Sequence, residues 1–150
     1  MTVHSRPELM RTIDVDRIKA AIAAAERAAS GEIRVSVSRY FWGSVRRAAE
    51  RAFVRMGMTR TKDRTGVLFF IVPARKKFIV LGDEGIHAKV GQEFWDCVAG
   101  LMSEHFRKGE FTEGLVKGIG EACSQLAAYF PYDASFDTNE LADDVDFGEN

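Results

Sequence analysis

The sequence predicts an α/β fold, a small mixed sheet of three to four strands with helices on both faces, about four of them long. Three observations lead there. Residues 32–38 alternate apolar and polar, a helical pattern covers 45–58, and a second strand begins near Val67, so strand, helix and strand form a βαβ unit with a right-handed crossover. The run Val67-Leu68-Phe69-Phe70-Ile71-Val72 is apolar at every position, which belongs at a sheet centre covered on both sides. Phe78-Ile79-Val80-Leu81 follows after a link from Pro73 to Lys77, short enough for an antiparallel hairpin.

Taken in order, residues 1–13 read as a flexible N-terminus. Asp14 or Asp16 caps a helix running to about Ala29, with Val15, Ile18, Ile22, Ala25 and Ala29 on one face. Ser30-Gly31 ends it, glycine supplying a left-handed residue. The strand at 32–38 places Ile33, Val35 and Val37 inward and Arg34, Ser36 and Ser38 on an exposed face. Tyr40-Phe41-Trp42 forms an aromatic corner, and Ser44 caps the next helix. Val45, Ala49, Ala52, Phe53 and Met56 give that helix its apolar stripe. Arg47, Arg51 and Arg55, with Arg46, give it a basic one.

After the hairpin, a short helical turn at 85–90 precedes Gly91 and a long helix at 93–107, with Phe94, Val98, Leu101, Met102 and His105 sharing a face. Lys108-Gly109 stops that helix. The last helix, 110–130, carries Phe111, Leu115, Ile119, Ala122 and Leu126 in phase, and Gly114 and Gly118 allow close approach of a neighbour. Pro131 ends it. Residues 14–131 thus form one domain, and 132–150 an acidic C-terminal tail.

The composition is that of a soluble globular protein, 46% apolar and 29% charged. No apolar stretch reaches the roughly 20 residues of a membrane helix, and the N-terminus lacks the apolar core of a signal peptide. A cytoplasmic chain is therefore expected, with Cys97 and Cys123 as buried thiols. The net charge of −1 conceals an asymmetry. Residues 34–77 hold twelve bases against two acids, and 133–150 hold seven acids and no base. An anionic partner for the middle and a docking tail at the end would explain it; so would a solvated basic helix and a frayed acidic terminus. The arginine stripe can hold phosphate, although its commoner use is a solvated face. No aromatic interleaving points to nucleic acid.

The chemistry concentrates at one sheet edge. A hairpin brings Asp63, Asp83 and Glu84 together, and a parallel first strand starts Glu32 at the same place, with Arg64 among them. Four carboxylates need a counter-charge, and an all-oxygen set suits Ca²⁺ or Mg²⁺ better than zinc. The alternative is that Glu32 and Asp63 face solvent and pair with Arg64 or Lys62. His87 reads as a surface histidine or as a ligand, and His105 as a core histidine. No GxSxG, HExxH, CxxC or phosphate-loop spacing is present, and no serine triad is supported.

Several segments in order resemble one family. They are Ser30-Gly31-Glu32-Ile33-Arg34-Val35, Arg64-Thr65-Gly66-Val67-Leu68, Gly82-Asp83-Glu84-Gly85-Ile86, Glu93-Phe94-Trp95, and His105 to Phe111 with Gly114-Leu115. Tyr129-Phe130-Pro131 closes the set. The chain is similar to the TPM domain family, also called the TPM phosphatase domain, in its soluble bacterial type. The resemblance implies a three-layer α/β/α sandwich with a small twisted sheet. It also implies a link to divalent metal, calcium above all, and to the acid phosphatase activity described for plant thylakoid-lumen relatives. Thr65 stands where many members have Asn, which weakens the metal expectation at that position. No catalytic nucleophile carries over.

Two functions follow as expectations. One is a domain binding a divalent metal through Asp63, Asp83, Glu84 and Glu32, with weak phosphomonoesterase activity toward a phosphorylated small molecule and Arg64 offsetting phosphate charge. The other is a non-catalytic module that binds a protein partner in protein quality control or membrane-protein maintenance.

Overall fold

The computed structural model describes residues 13–61, 64–131 and 145–148. The expected flexible N-terminus up to residue 12, Lys62, Asp63 and most of the acidic tail lie outside the described residues. The elements run α1 (Val15–Ala28), β1 (Glu32–Val37), α2 (Val45–Arg55), β2 (Gly66–Val72), β3 (Lys77–Gly82), α3 (Glu84–Arg107), α4 (Phe111–Tyr129) and β4 (Val145–Asp146).

The sheet order is β3-β2-β1-β4. β1 and β2 are parallel, with Glu32 opposite Gly66, and β2 and β3 are antiparallel, as the link length predicts. A turn of 3-10 helix at Pro73–Arg75 and Lys76 at φ 52° close the hairpin. β4 adds the fourth strand, parallel to β1 at Val35 and Ser36. Part of the acidic segment therefore packs on the sheet.

Helices cover both faces in three layers. On one face α1, α3 and α4 pack on Ile33, Val35, Val37, Val67, Phe69, Ile71 and Val80. On the other, Ala48, Ala49, Ala52 and Phe53 of α2 pack on Leu68, Phe70 and Val72. β2 is buried at all seven positions, which fixes it at the centre.

Some local expectations need correction. β1 is buried on both faces, and Arg34 is 2% exposed rather than solvent-facing. The alternation of 32–38 marks two differently lined interiors, one apolar and one polar. Gly31 is not left-handed; α1 ends at Ala29 in extended backbone. A Cβ at Gly31 would meet the Thr65 carbonyl oxygen at 3.4 Å, an ordinary contact, so packing does not demand glycine there. α2 stops at Arg55, and a separate 3-10 turn covers Met58–Arg60.

The expected break at Gly91 is present, with φ 76° and ψ 174° inside α3. Beyond it the buried face is Trp95, Val98 and Met102, while Leu101 is exposed. Cys97 is exposed, contrary to expectation, and Cys123 is partly buried. His105 is not a core histidine: it stays partly exposed and its Nδ1 lies 2.8 Å from Glu110 Oε1. Gly114 and Gly118 do admit close neighbours, since a Cβ on Gly118 would stand 2.6 Å from Met102 Sδ.

Candidate functional site

The edge at the amino ends of β1 and β2 is tied together by backbone bonds. Asp83 N donates to Gly66 O at 2.8 Å, and Gly85 N donates to Arg64 O at 3.0 Å. Asp83 caps α3, its Oδ1 accepting from Glu84 N at 2.8 Å. The turn is held from above by Trp95, whose Nε1 donates to His87 Nδ1 at 3.0 Å. His87 is thus an exposed residue whose Nδ1 is already used.

Arg64, in left-handed backbone at φ 54°, folds over the turn. Its Nε donates to Asp83 Oδ2 at 2.7 Å, its Nη2 to Asp83 Oδ1 at 2.9 Å, and its Nη1 to Glu84 Oε1 at 3.3 Å. Bidentate pairing of this kind is the strong form of a charge-assisted hydrogen bond. Hydrogen bonding to Asp83 holds the guanidinium above its ordinary pKa, against the opposing effect of burial.

The structure therefore brings Asp83 and Glu84 together with Arg64. It does not bring Glu32 to them as a ligand. The Glu32 carboxylate is buried and accepts from Arg34 Nη2 at 2.9 Å. Arg34 Nη1 donates to Glu26 Oε2 at 2.6 Å, and that same oxygen accepts Ile33 N at 3.0 Å. The Glu26 side chain thus satisfies a backbone donor of β1 as well as the guanidinium. Asp63 lies outside the described residues. Among the described residues, no group of three or more His, Cys, Asp or Glu side chains is arranged to hold a metal ion. Asp83 and Glu84 nonetheless form a hard-oxygen pair around a positive charge. The guanidinium supplies that charge.

A second concentration of chemistry lies at the opposite end of the sheet, about 17 Å away at the ~3.3 Å rise of a strand. A crevice of about 240 Å³ opens beyond the carboxyl ends of β1 and β4. Ser36, Arg39, Tyr40 and Trp42 line it from β1 and the loop after it, Arg51 and Arg55 from α2, and Phe147 from beyond β4.

Arg55 clasps Asp146, Nη1 to Oδ1 at 3.0 Å and Nη2 to Oδ2 at 2.8 Å, and Ser36 Oγ donates to Asp146 Oδ2 at 2.7 Å. Burial opposes ionisation of Asp146, but the bonds from Arg55 and Ser36 outweigh it and hold the carboxyl below its usual range. Arg51 Nη2 donates to Trp42 O at 3.2 Å, joining loop to helix. The aromatic corner and the arginine stripe are each visible in the sequence. Their convergence is not, because the βαβ crossover creates it. The available signal was position: residues just after a parallel strand are where open α/β sheets bind ligands.

A family model described as the TPM domain matches residues 6–125. The BA42 protein from the psychrophilic bacterium Bizionia argentinensis, solved by NMR, is similar at 35% identity and TM-score 0.83, over 91% of this chain and 95% of that one. The N-terminal domain of cg2496 from Corynebacterium glutamicum has 12% identity and TM-score 0.60, over 74% of this chain and 70% of that one. The N-terminal domain of a P. gingivalis protein has 14% identity and TM-score 0.61, over 89% and 99%. At these last two identities the likeness is one of fold alone. A comparison with curated proteins finds no match.

Proposed function

The chain belongs to the TPM domain family, and from that premise we propose that it is a cytoplasmic divalent-cation-binding domain, taking Ca²⁺ or Mg²⁺ where the Arg64 guanidinium now lies. The observation that carries this reading is the Arg64 bridge between Asp83 and Glu84. Asp83 is buried as well as capping the helix, and Arg64 supplies its counter-charge from a side chain still 40% exposed. An arginine that exposed can swing outward and yield its place. Asp83 and Glu84 would hold the ion, with Asp63 close in sequence to Arg64 as a further oxygen donor. A bound cation supplies Lewis-acid polarisation of a phosphoryl oxygen, the basis for weak phosphomonoesterase activity. Arg64, once displaced, is placed to meet phosphate charge. Two free thiols, one exposed, suit a reducing compartment. No described helix is long and apolar enough to cross a membrane.

The test is a titration of wild-type, Arg64→Ala and Asp83→Asn proteins with Ca²⁺ and with Mg²⁺, followed by amide NMR. Shifts at 64–66 and 82–86 are expected in the wild type, at lower ion concentration in Arg64→Ala because the competing cation is gone, and not in Asp83→Asn. No shift in either of the first two proteins at millimolar ion would sink the reading.

A non-catalytic interaction module in protein quality control or membrane-protein maintenance is the second reading. It is favoured by Val54, 64% exposed among Arg47, Arg51 and Arg55 on the outer face of α2. Proximity labelling with wild-type and Val54→Asp proteins tests it; identical partner profiles would count against it.

A further inference from the structure

We propose that the crevice at the carboxyl ends of β1 and β4 binds a small organic phosphate, its phosphoryl group held by Arg39 and Arg51 and its planar organic part resting on Tyr40 and Trp42. This site is separate from the acidic edge and does not depend on it.

Position is the first argument. The chain leaves β1 toward β2 on one side, while β4 lies on the other side of β1. A crevice outside the carboxyl ends of parallel strands, where the order reverses, is where open α/β sheets take ligands. This one, about 240 Å³, falls a little below the roughly 300 Å³ at which drug-sized pockets begin, which suits a small ligand.

Charge is the second. Among the described residues, three guanidinium groups and one carboxylate meet around the crevice. Asp146 commits both of its oxygens to Arg55, so among the described residues the excess charge resides on Arg39 and Arg51. No carboxylate of the described residues pairs with either of them. Arg51 gives one donor to the Trp42 carbonyl oxygen and keeps the others of its planar fork. Two guanidinium groups match a phosphate dianion better than a single carboxylate. The serines are not the donors: Ser36 Oγ donates to Asp146, and Ser38 Oγ donates to Tyr40 O at 2.7 Å.

The third argument is the aromatic rim. Trp42 is 76% exposed and Tyr40 is 45% exposed, with their rings edge to face at 5.9 Å. Large rings left in water beside a cationic crevice offer a planar ligand a stacking surface.

The test uses inorganic phosphate and phenyl phosphate against sodium chloride at matched ionic strength. EDTA is present throughout, so the outcome is independent of any cation at Asp83. Phenyl phosphate should shift amides at 36–42 and 146–148, and inorganic phosphate should shift the same amides at several-fold higher concentration. Arg39→Gln and Arg51→Gln should each weaken phenyl phosphate about tenfold. Trp42→Ala should bring phenyl phosphate down to the level of inorganic phosphate. All three side chains are exposed or half-buried, and the amide spectrum reports that each variant is folded. The proposal is overturned if sodium chloride reproduces the shifts, if the arginine variants bind as the wild type does, or if the shifts fall at 64–66 and 82–86 instead.

Discussion

Gly82 lies directly beneath the indole of Trp95: a Cβ there would stand 2.7 Å from Cη2 and overlap Cζ2 outright. The same indole donates to His87 Nδ1. One ring therefore presses on the last residue of β3 and pins the turn that carries Asp83 and Glu84.

Gly82→Ala should displace Trp95 and cost about 1–3 kcal/mol, the usual penalty of overpacking a close contact. Urea unfolding reads the loss. Amide shifts at 83–87 should accompany it, because the Trp95–His87 bond moves with the ring. A variant as stable as the wild type would mean the indole relaxes freely.

Arg34 is the buried hub of Glu26 and Glu32. Arg34→Leu should cost about 3–5 kcal/mol, since two carboxylates lose their counter-charge inside the protein. Adding Glu26→Gln and Glu32→Gln should recover much of that loss. A strictly additive triple variant would show that the three do not act as a unit.

Asp146 binds β4 to α2 and to Ser36. Its folded carboxyl is held below its ordinary value, so its contribution is fully present above the unfolded pKa. That contribution falls away as pH drops through the lower folded value. Asp146→Asn should cost about 1 kcal/mol at neutral pH, a modest figure because Arg55 remains partly solvated. The difference from wild type should shrink below about pH 4. Hydrogen exchange at Val35 and Ser36 should quicken in the variant.

The two thiols should react at separate rates. Cys97 is exposed, whereas burial raises the Cys123 thiol pKa and its Sγ lies 3.7 Å from Ala25 O. Thiol titration of the native protein at about pH 8 should give one fast and one slow equivalent. Two fast equivalents would show that the α1–α4 contact opens readily.

The sequence by itself determined the four helices, the first three strands and the layer order, but not β4, which lies in the segment read as an acidic tail. Val67 to Val72 is apolar at every position and had to lie at the sheet centre; the Pro73–Lys77 link had to turn a hairpin; Gly91 had to break the helix it interrupts. Each is a property of neighbouring residues, legible as periodicity and turn chemistry. It also assigned Asp63, Asp83, Glu84 and Glu32 to one edge with Arg64, because a hairpin returns its ends to the same edge; of these, Asp83, Glu84 and Arg64 meet in the structure.

Only the tertiary structure decided which charges meet. Glu32 starts at the acidic edge, yet its carboxylate pairs with Arg34, and the Glu26 side chain of α1 accepts the Ile33 N–H of β1. Asp146 lies 91 residues from its Arg55 partner. Long charged side chains can reach several partners, so burial and the crossing of elements select among them. That selection separates one edge, where two carboxylates share an arginine, from the opposite crevice, where two arginines lack a carboxylate among the described residues.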